Sequence, residues 1–110
     1  MATDAQSALS QALDGMWARF LPQIQERVAT LDAAAQAYGE GSLSADRQQE
    51  AQSAAHKLAG VLGTFGLTRG TVLARELEII YSRENDPDPE LAAQLASIAA
   101  EIRTIIATRK

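Results

Sequence analysis

The sequence has 110 residues, 46% of them hydrophobic and 22% charged, which suits one soluble globular domain spanning residues 1–110. It contains no cysteine and a single histidine, which excludes thiol catalysis, disulfide bonds and zinc sites built on Cys or on His pairs. The formal net charge of -4 and the scatter of the basic residues argue against a module that binds nucleic acid by neutralising phosphates.

The N-terminus lacks the basic and apolar regions of a secretory signal. The chain also has no run of about 18 consecutive apolar residues, the length that a membrane-spanning helix needs. We therefore expect a cytoplasmic protein that does not enter a membrane.

Apolar residues recur at spacings of three and four along the whole chain, which is the helical period and predicts an all-α fold. In the first segment, Pro22 predicts either a kink or a short first helix joined to a second one that starts near the proline. Both Trp17 and Phe20 are expected in the core. The predicted apolar stripe of this segment comprises Leu9, Leu13, Met16, Trp17, Phe20, Leu21, Ile24, Val28, Leu31, Ala35 and Tyr38.

The middle of the chain predicts two further helices. The first runs from about Ala45 to about Phe65, with Ser44 as its N-cap. A turn at 66–68 follows, and the spacing of the next apolar residues predicts an amphipathic helix that ends near Arg83.

The last helix follows the clearest loop in the sequence, residues 85–89. Asp88 is the expected N-cap and Pro89 the first helical residue. Because short connections favour antiparallel neighbours, the elements predict an antiparallel up-and-down four-helix bundle with an additional N-terminal helical segment. Such a bundle can bury its apolar stripes within one chain, which favours a monomer.

His56 lies on the second predicted helix, and a helical wheel at about 100° per residue indicates its surroundings. The apolar residues of that helix fall opposite the histidine, so we expect its side chain to face solvent. Polar or small residues lie within about 60° of it and are the expected contacts for a partner. These residues are Gln49, Gln52, Ser53, Ala59, Gly60 and Gly63.

The two glycines near His56 indicate a surface kept clear for a partner, because glycine inside a helix costs about 0.5–1 kcal/mol relative to alanine. A neutral imidazole is a good nucleophile near neutral pH. No second histidine is available, and no acidic residue lies within a turn of His56 on its own face. The pattern therefore favours a carrier over a hydrolytic enzyme, and it predicts no metal site.

Residues 55–67 resemble the histidine-containing phosphotransfer (HPt) domain, a likeness shared with the P1 domain of chemotaxis kinases. The family pattern is roughly His-x-Leu-Lys-Gly, with a further glycine about ten residues after the histidine. Residues 73–78 are similar to the family's Leu-x-x-x-(Leu/Ile)-Glu helix. The residues on the pattern positions are His56, Leu58, Gly60 and Gly66.

The resemblance implies a four-helix bundle whose exposed histidine accepts a phosphoryl group from a receiver-domain aspartyl phosphate or from a histidine kinase. It implies a phosphocarrier with no ATP site and no cofactor of its own, since the Mg2+ would belong to the receiver. The family lysine three residues after the histidine is replaced by Ala59, and the small polar residue after the first glycine by Val61. Lys57 is the expected replacement for electrostatic support of the phosphoryl group.

Two other interpretations are weighed against the carrier. A non-catalytic helical interaction module would dock a receiver or another partner through the same face without carrying phosphate. A hydrolytic or metal-dependent enzyme ranks third, because one His and no Cys supply neither a ligand set nor a nucleophile with its base. In all these interpretations, Arg75 and Glu78 are expected to form an ordinary pair on a helix surface.

Overall fold

The computed structural model describes residues 4–83 and 88–109, and the regular structure within them is helical throughout. The elements are α1 (Asp4–Gly39), α2 (Ala45–Thr64), α3 (Thr68–Tyr81) and α4 (Pro89–Thr108). Each helix packs against its neighbour in chain order, and α4 returns to α1. The predicted all-α bundle is confirmed, while most of the loop predicted at 85–89 lies outside the described residues.

The first segment is one continuous helix of 36 residues with Pro22 inside it, so of the two predicted alternatives the short separate first helix is wrong. Proline removes a single hydrogen bond of the helical ladder. Trp17 before the proline and Ile24 after it are both buried on the bundle side, so packing holds the two halves of α1 in one register.

The N-terminal turns of α1 extend past the bundle. A helix of 36 residues is about 54 Å long, and the molecule measures 54 × 22 × 18 Å, so the other helices, of 14 to 20 residues, leave one end uncovered. Leu9, Met16 and Phe20 are therefore exposed, by 62%, 38% and 40%. The predicted stripe forms core only from Trp17 onwards, and the expected burial of Phe20 is wrong.

The predicted helix starts are confirmed at two positions. The Ser44 side chain accepts a hydrogen bond from the backbone N–H of Arg47, and the Asp88 side chain accepts one from Glu90. Pro89 occupies the first turn of α4, where its missing N–H removes no helical bond.

Gly66 explains why α2 ends where it does. Its φ of 73° lies in the left-handed region that glycine adopts without strain. This conformation lets the backbone N–H of Leu67 donate a hydrogen bond to the carbonyl of Leu62 at 2.9 Å. The bond gives a carbonyl in the last turn of α2 a donor, and the chain then turns into α3.

One core fills the space between the four helices, and its central side chains are aliphatic. Gly70 brings α3 close to α2, because a Cβ there would lie 3.0 Å from Leu62 Cδ1. At the same end of the bundle, Trp17 and Phe65 meet edge to face with 5.1 Å between ring centroids. The largest fully buried side chains are Ile24, Leu31, Leu58, Leu62, Leu73, Leu77, Leu95 and Ile102.

α4 is the one helix in the described part of the chain that is long and apolar enough to cross a membrane, judged by length and composition alone. Its side chains behave as those of a bundle helix. Leu95 and Ile102 are buried in the core, while Glu101 and Arg103 on its outer side pair with Arg69 and Asp32.

Candidate functional site

His56 lies in the second half of α2, and its side chain is 76% exposed, which confirms the orientation predicted from the helical wheel. One contact holds the ring. His56 Nδ1 lies 2.6 Å from Oε2 of Glu78, which reaches across from α3. The imidazole is therefore both accessible and fixed in orientation.

The partner of Nδ1 determines which ring nitrogen can react. An ionised carboxylate only accepts hydrogen bonds, so Nδ1 carries the ring proton and donates a hydrogen bond to Glu78. In a neutral imidazole this leaves the lone pair on Nε2. The nitrogen of His56 that is available to act as a nucleophile is thus Nε2, on the ring edge away from Glu78.

Sequence reasoning missed Glu78 as a functional residue. No acidic residue lies beside His56 on α2, but α3 supplies one from 22 positions further along the chain. The expected surface pair between Arg75 and Glu78 is wrong, because Glu78 contacts His56 instead and the described side chains show no ion pair between the two. The signal that could have found Glu78 is its place at the end of the family-like segment 73–78.

One edge of the face around His56 is covered by α3. Ala59 is buried, at 5% exposure, and its carbonyl accepts a hydrogen bond from Thr71 Oγ1 at 3.2 Å. The prediction that Ala59 is a solvent-facing contact residue is therefore wrong. Gly63 is exposed, and a Cβ on it would lie 3.4 Å from the same Thr71 Oγ1. Its part in binding a partner stays a prediction.

The opposite edge of the face is open. A Cβ on Gly60 would meet no atom within 4 Å, so nothing in the packing of the described residues requires a glycine there. The side chains of Gln49, Gln52 and Ser53 line a shallow depression together with His56 and Glu78. The structure thus groups these three predicted contacts around the imidazole, while their binding to a partner stays a prediction.

Lys57 is exposed on α2, about 100° around the helix from His56. It forms no ion pair with another described residue. The rotation carries it away from the α3 side, where Glu78 holds the ring. Its role as electrostatic support stays a prediction.

The site combines an exposed imidazole, a carboxylate that holds its Nδ1, and open space beside it at Gly60. The arrangement suits covalent capture of a group presented by a docked partner. The imidazole is already hydrogen-bonded to Glu78, and no hydroxyl nucleophile is among the described contacts of its ring.

Comparison with known proteins agrees with this geometry. Residues 15–106 match the Hpt domain family. The chain is also similar to Protein RcaC of Microchaete diplosiphon, with 37% identity over 101 residues that cover 92% of this chain and 16% of the relative. The chain thus spans about a sixth of the length of that curated relative, and no solved structure matches it significantly. Because the family match covers most of the sequence and includes residues of all four helices, the chain belongs to the Hpt domain family.

Proposed function

We propose that this domain is a phosphorelay carrier in which His56 accepts a phosphoryl group and exchanges it with the aspartate of a receiver domain. The observation that supports this most is the exposed imidazole whose Nδ1 is held by Glu78, which leaves Nε2 free to react. Membership of the Hpt family supports it as well, since Hpt domains are phosphocarriers of two-component signalling without an ATP site of their own.

The transfer step follows from the ring geometry. The Nε2 lone pair attacks the phosphorus of the receiver's aspartyl phosphate, and the N–P bond forms as the P–O bond to the aspartate breaks. The aspartate leaves as a carboxylate, and the phosphorylated ring keeps its proton on Nδ1. Glu78 stabilises the positive charge that the ring then carries. The reverse sequence passes the phosphoryl group to another receiver.

The surface around His56 supports docking of a receiver. Gln49, Gln52 and Ser53 offer hydrogen-bonding groups, and Gly60 leaves room for the acidic pocket of the partner to reach the imidazole. Lys57 is the predicted electrostatic support for the phosphoryl group. The magnesium ion of the reaction belongs to the receiver in this proposal.

The remaining assignments follow the same proposal. A receiver domain or a histidine kinase is the phosphoryl donor, and the reaction takes place in the cytoplasm. The protein acts as a monomer, since one chain supplies the core of its own bundle.

Phosphotransfer from a panel of phosphorylated receivers and kinases, with magnesium, tests the function. Wild type should acquire an acid-labile, alkali-stable label, and His56→Gln should acquire none. The free energy of unfolding of the variant should lie within about 0.5 kcal/mol of that of wild type, because an exposed side chain contributes little to folding.

Two outcomes would contradict the proposal. A folded wild-type domain that takes label from no donor would favour the interaction module that docks without carrying phosphate. A large loss of helicity in His56→Gln would contradict the exposed position on which the proposal rests.

A further inference from the structure

A phosphoryl group on His56 Nε2 creates an electrostatic problem at this site. It brings two negative charges close to the carboxylate of Glu78, which lies 2.6 Å from the other ring nitrogen. A cation near the phosphoryl oxygens would offset this repulsion, most effectively as the charge moves from donor to histidine. On the α3 side of the ring, α2 itself presents the methyl group of Ala59.

α3 places an arginine beside this position. Thr71 and Glu78 both contact α2, through the Ala59 carbonyl and through His56. Arg75 follows Thr71 by four residues and precedes Glu78 by three, so all three lie along one strip of the α3 surface. Because Thr71 contacts Ala59 and Glu78 contacts His56, Arg75 lies on α3 at a level between these two residues of α2.

Arg75 is available for a ligand. Its side chain is exposed, and it forms no ion pair with any described residue. By contrast, Arg69 and Arg103 are engaged with Glu101 and Asp32. A guanidinium on a long stem matches the oxygens of a phosphoryl group with paired N–H donors.

The position of Lys57 is less favourable. It lies about 100° around α2 from His56, on the side away from α3, whereas the bond to Glu78 draws the ring towards α3. A lysine ammonium is also a point charge that lacks the paired donors of arginine.

We propose that Arg75 binds the phosphoryl oxygens at His56 Nε2 and is the main cation that supports phosphorylation, ahead of Lys57. The inference rests on the proposed carrier function and deepens it. In this arrangement α3 supplies both the carboxylate that orients the ring and the guanidinium that stabilises the transferred group.

Phosphorylation by phosphoramidate isolates this role, because the small donor needs no docking surface. His56 Nε2 forms the N–P bond, the P–N bond of phosphoramidate breaks, and ammonia leaves. Arg75→Ala should lower the rate of phosphorylation by roughly 5- to 20-fold. This is a smaller decrease than removal of a buried oxyanion donor causes, because the site is open to solvent. The rate of Arg75→Lys should lie between that of Arg75→Ala and that of wild type.

Arg47→Ala serves as the control and should stay within about twofold of wild type, because it removes an exposed arginine about 180° around α2 from His56. Lys57→Ala, at the other predicted cation, should lower the rate less than Arg75→Ala does. In wild type, the Nε–H resonance of Arg75 should shift on phosphorylation, which a purely structural role would not produce.

The outcomes separate the two proposals. If wild type takes label neither from phosphoramidate nor from any receiver, the carrier function itself fails. If wild type is labelled and Arg75→Ala reacts at the same rate, or if Lys57→Ala shows the larger loss, the assignment of Arg75 is overturned and the carrier function stands.

Discussion

In the proposed reaction, Glu78 controls the chemistry of His56, because it holds the proton on Nδ1 and can stabilise the charge that forms on the ring. Glu78→Gln retains an oxygen that accepts from Nδ1 but removes the negative charge. We therefore expect phosphorylation to slow by roughly tenfold, since a positioned carboxylate beside an imidazole contributes on this scale. The initial rate of labelling with phosphoramidate measures the effect.

The control for this prediction is a measurement of which His56 nitrogen carries the proton in each variant. In Glu78→Gln the Nδ1–H tautomer should persist, whereas Glu78→Ala should lose that preference, as NMR of the imidazole nitrogens would show. Equal labelling rates in wild type and both variants would contradict a role for Glu78 in the reaction.

The sequence predicted half of this two-residue arrangement. His56 could be placed on an exposed face because its surroundings within α2 depend on the helical period alone. Glu78 could not be placed beside it, because the register between α2 and α3 depends on how Leu62 and Gly70 pack in the core. That packing is a tertiary property, and the helical period of the sequence does not determine it.

The two glycines of α2 beside the site differ in their surroundings, although the sequence treats them alike. Gly60 faces open space and Gly63 faces Thr71. Gly60→Ala should therefore raise the free energy of unfolding by about 0.5–1 kcal/mol, the ordinary gain in helix propensity. Gly63→Ala should raise the free energy of unfolding by less, because its methyl group would lie 3.4 Å from Thr71 Oγ1. Urea denaturation of both variants measures the difference.

A bulky residue at the open position tests docking separately from folding. Gly60→Leu should fold but slow transfer from a phosphorylated receiver by at least about tenfold, which corresponds to about 1.4 kcal/mol. Labelling by phosphoramidate should change little, since a small donor does not need the cleared surface. Unchanged transfer from the receiver would contradict the docking face proposed around Gly60.

Helix boundaries were predictable wherever a side chain caps the helix. Ser44, Asp88 and Pro89 carry that information locally, and the structure confirms all three. The sequence left open whether α1 is continuous, because Pro22 is a local signal against a helix, and burial of Trp17 and Ile24 overrides that signal. Local chemistry thus fixed the starts of these helices, and packing decided whether α1 was interrupted.

The molecule as a whole separates its reactive surface from its core. His56 is exposed, while one continuous set of buried side chains joins all four helices. Changes to the His56 side chain should therefore leave stability nearly unchanged, and changes in the core should act on the whole bundle. We expect the buried Tyr81 to make global stability depend on pH in the alkaline range.

Tyr81 is 3% exposed, and its hydroxyl has no hydrogen-bond partner among the described residues. Burial raises the pKa of Tyr81 from 10.0 to about 12. Between these values the unfolded chain loses the tyrosine proton and the folded chain keeps it. The unfolded state then binds fewer protons, so the free energy of unfolding falls as the pH rises through this window.

Tyr81→Phe should remove both this pH dependence and the cost of an unpaired buried hydroxyl. At pH 7 we expect the variant to be more stable by about 1 kcal/mol. From about pH 10 to 12, wild type should lose up to about 2 kcal/mol more than the variant. Urea denaturation across this range measures both effects, and Tyr38→Phe is the matched control because it retains Tyr81 and should still lose stability from about pH 10 to 12. Parallel declines in wild type and Tyr81→Phe would show that the Tyr81 hydroxyl is not held protonated by the core.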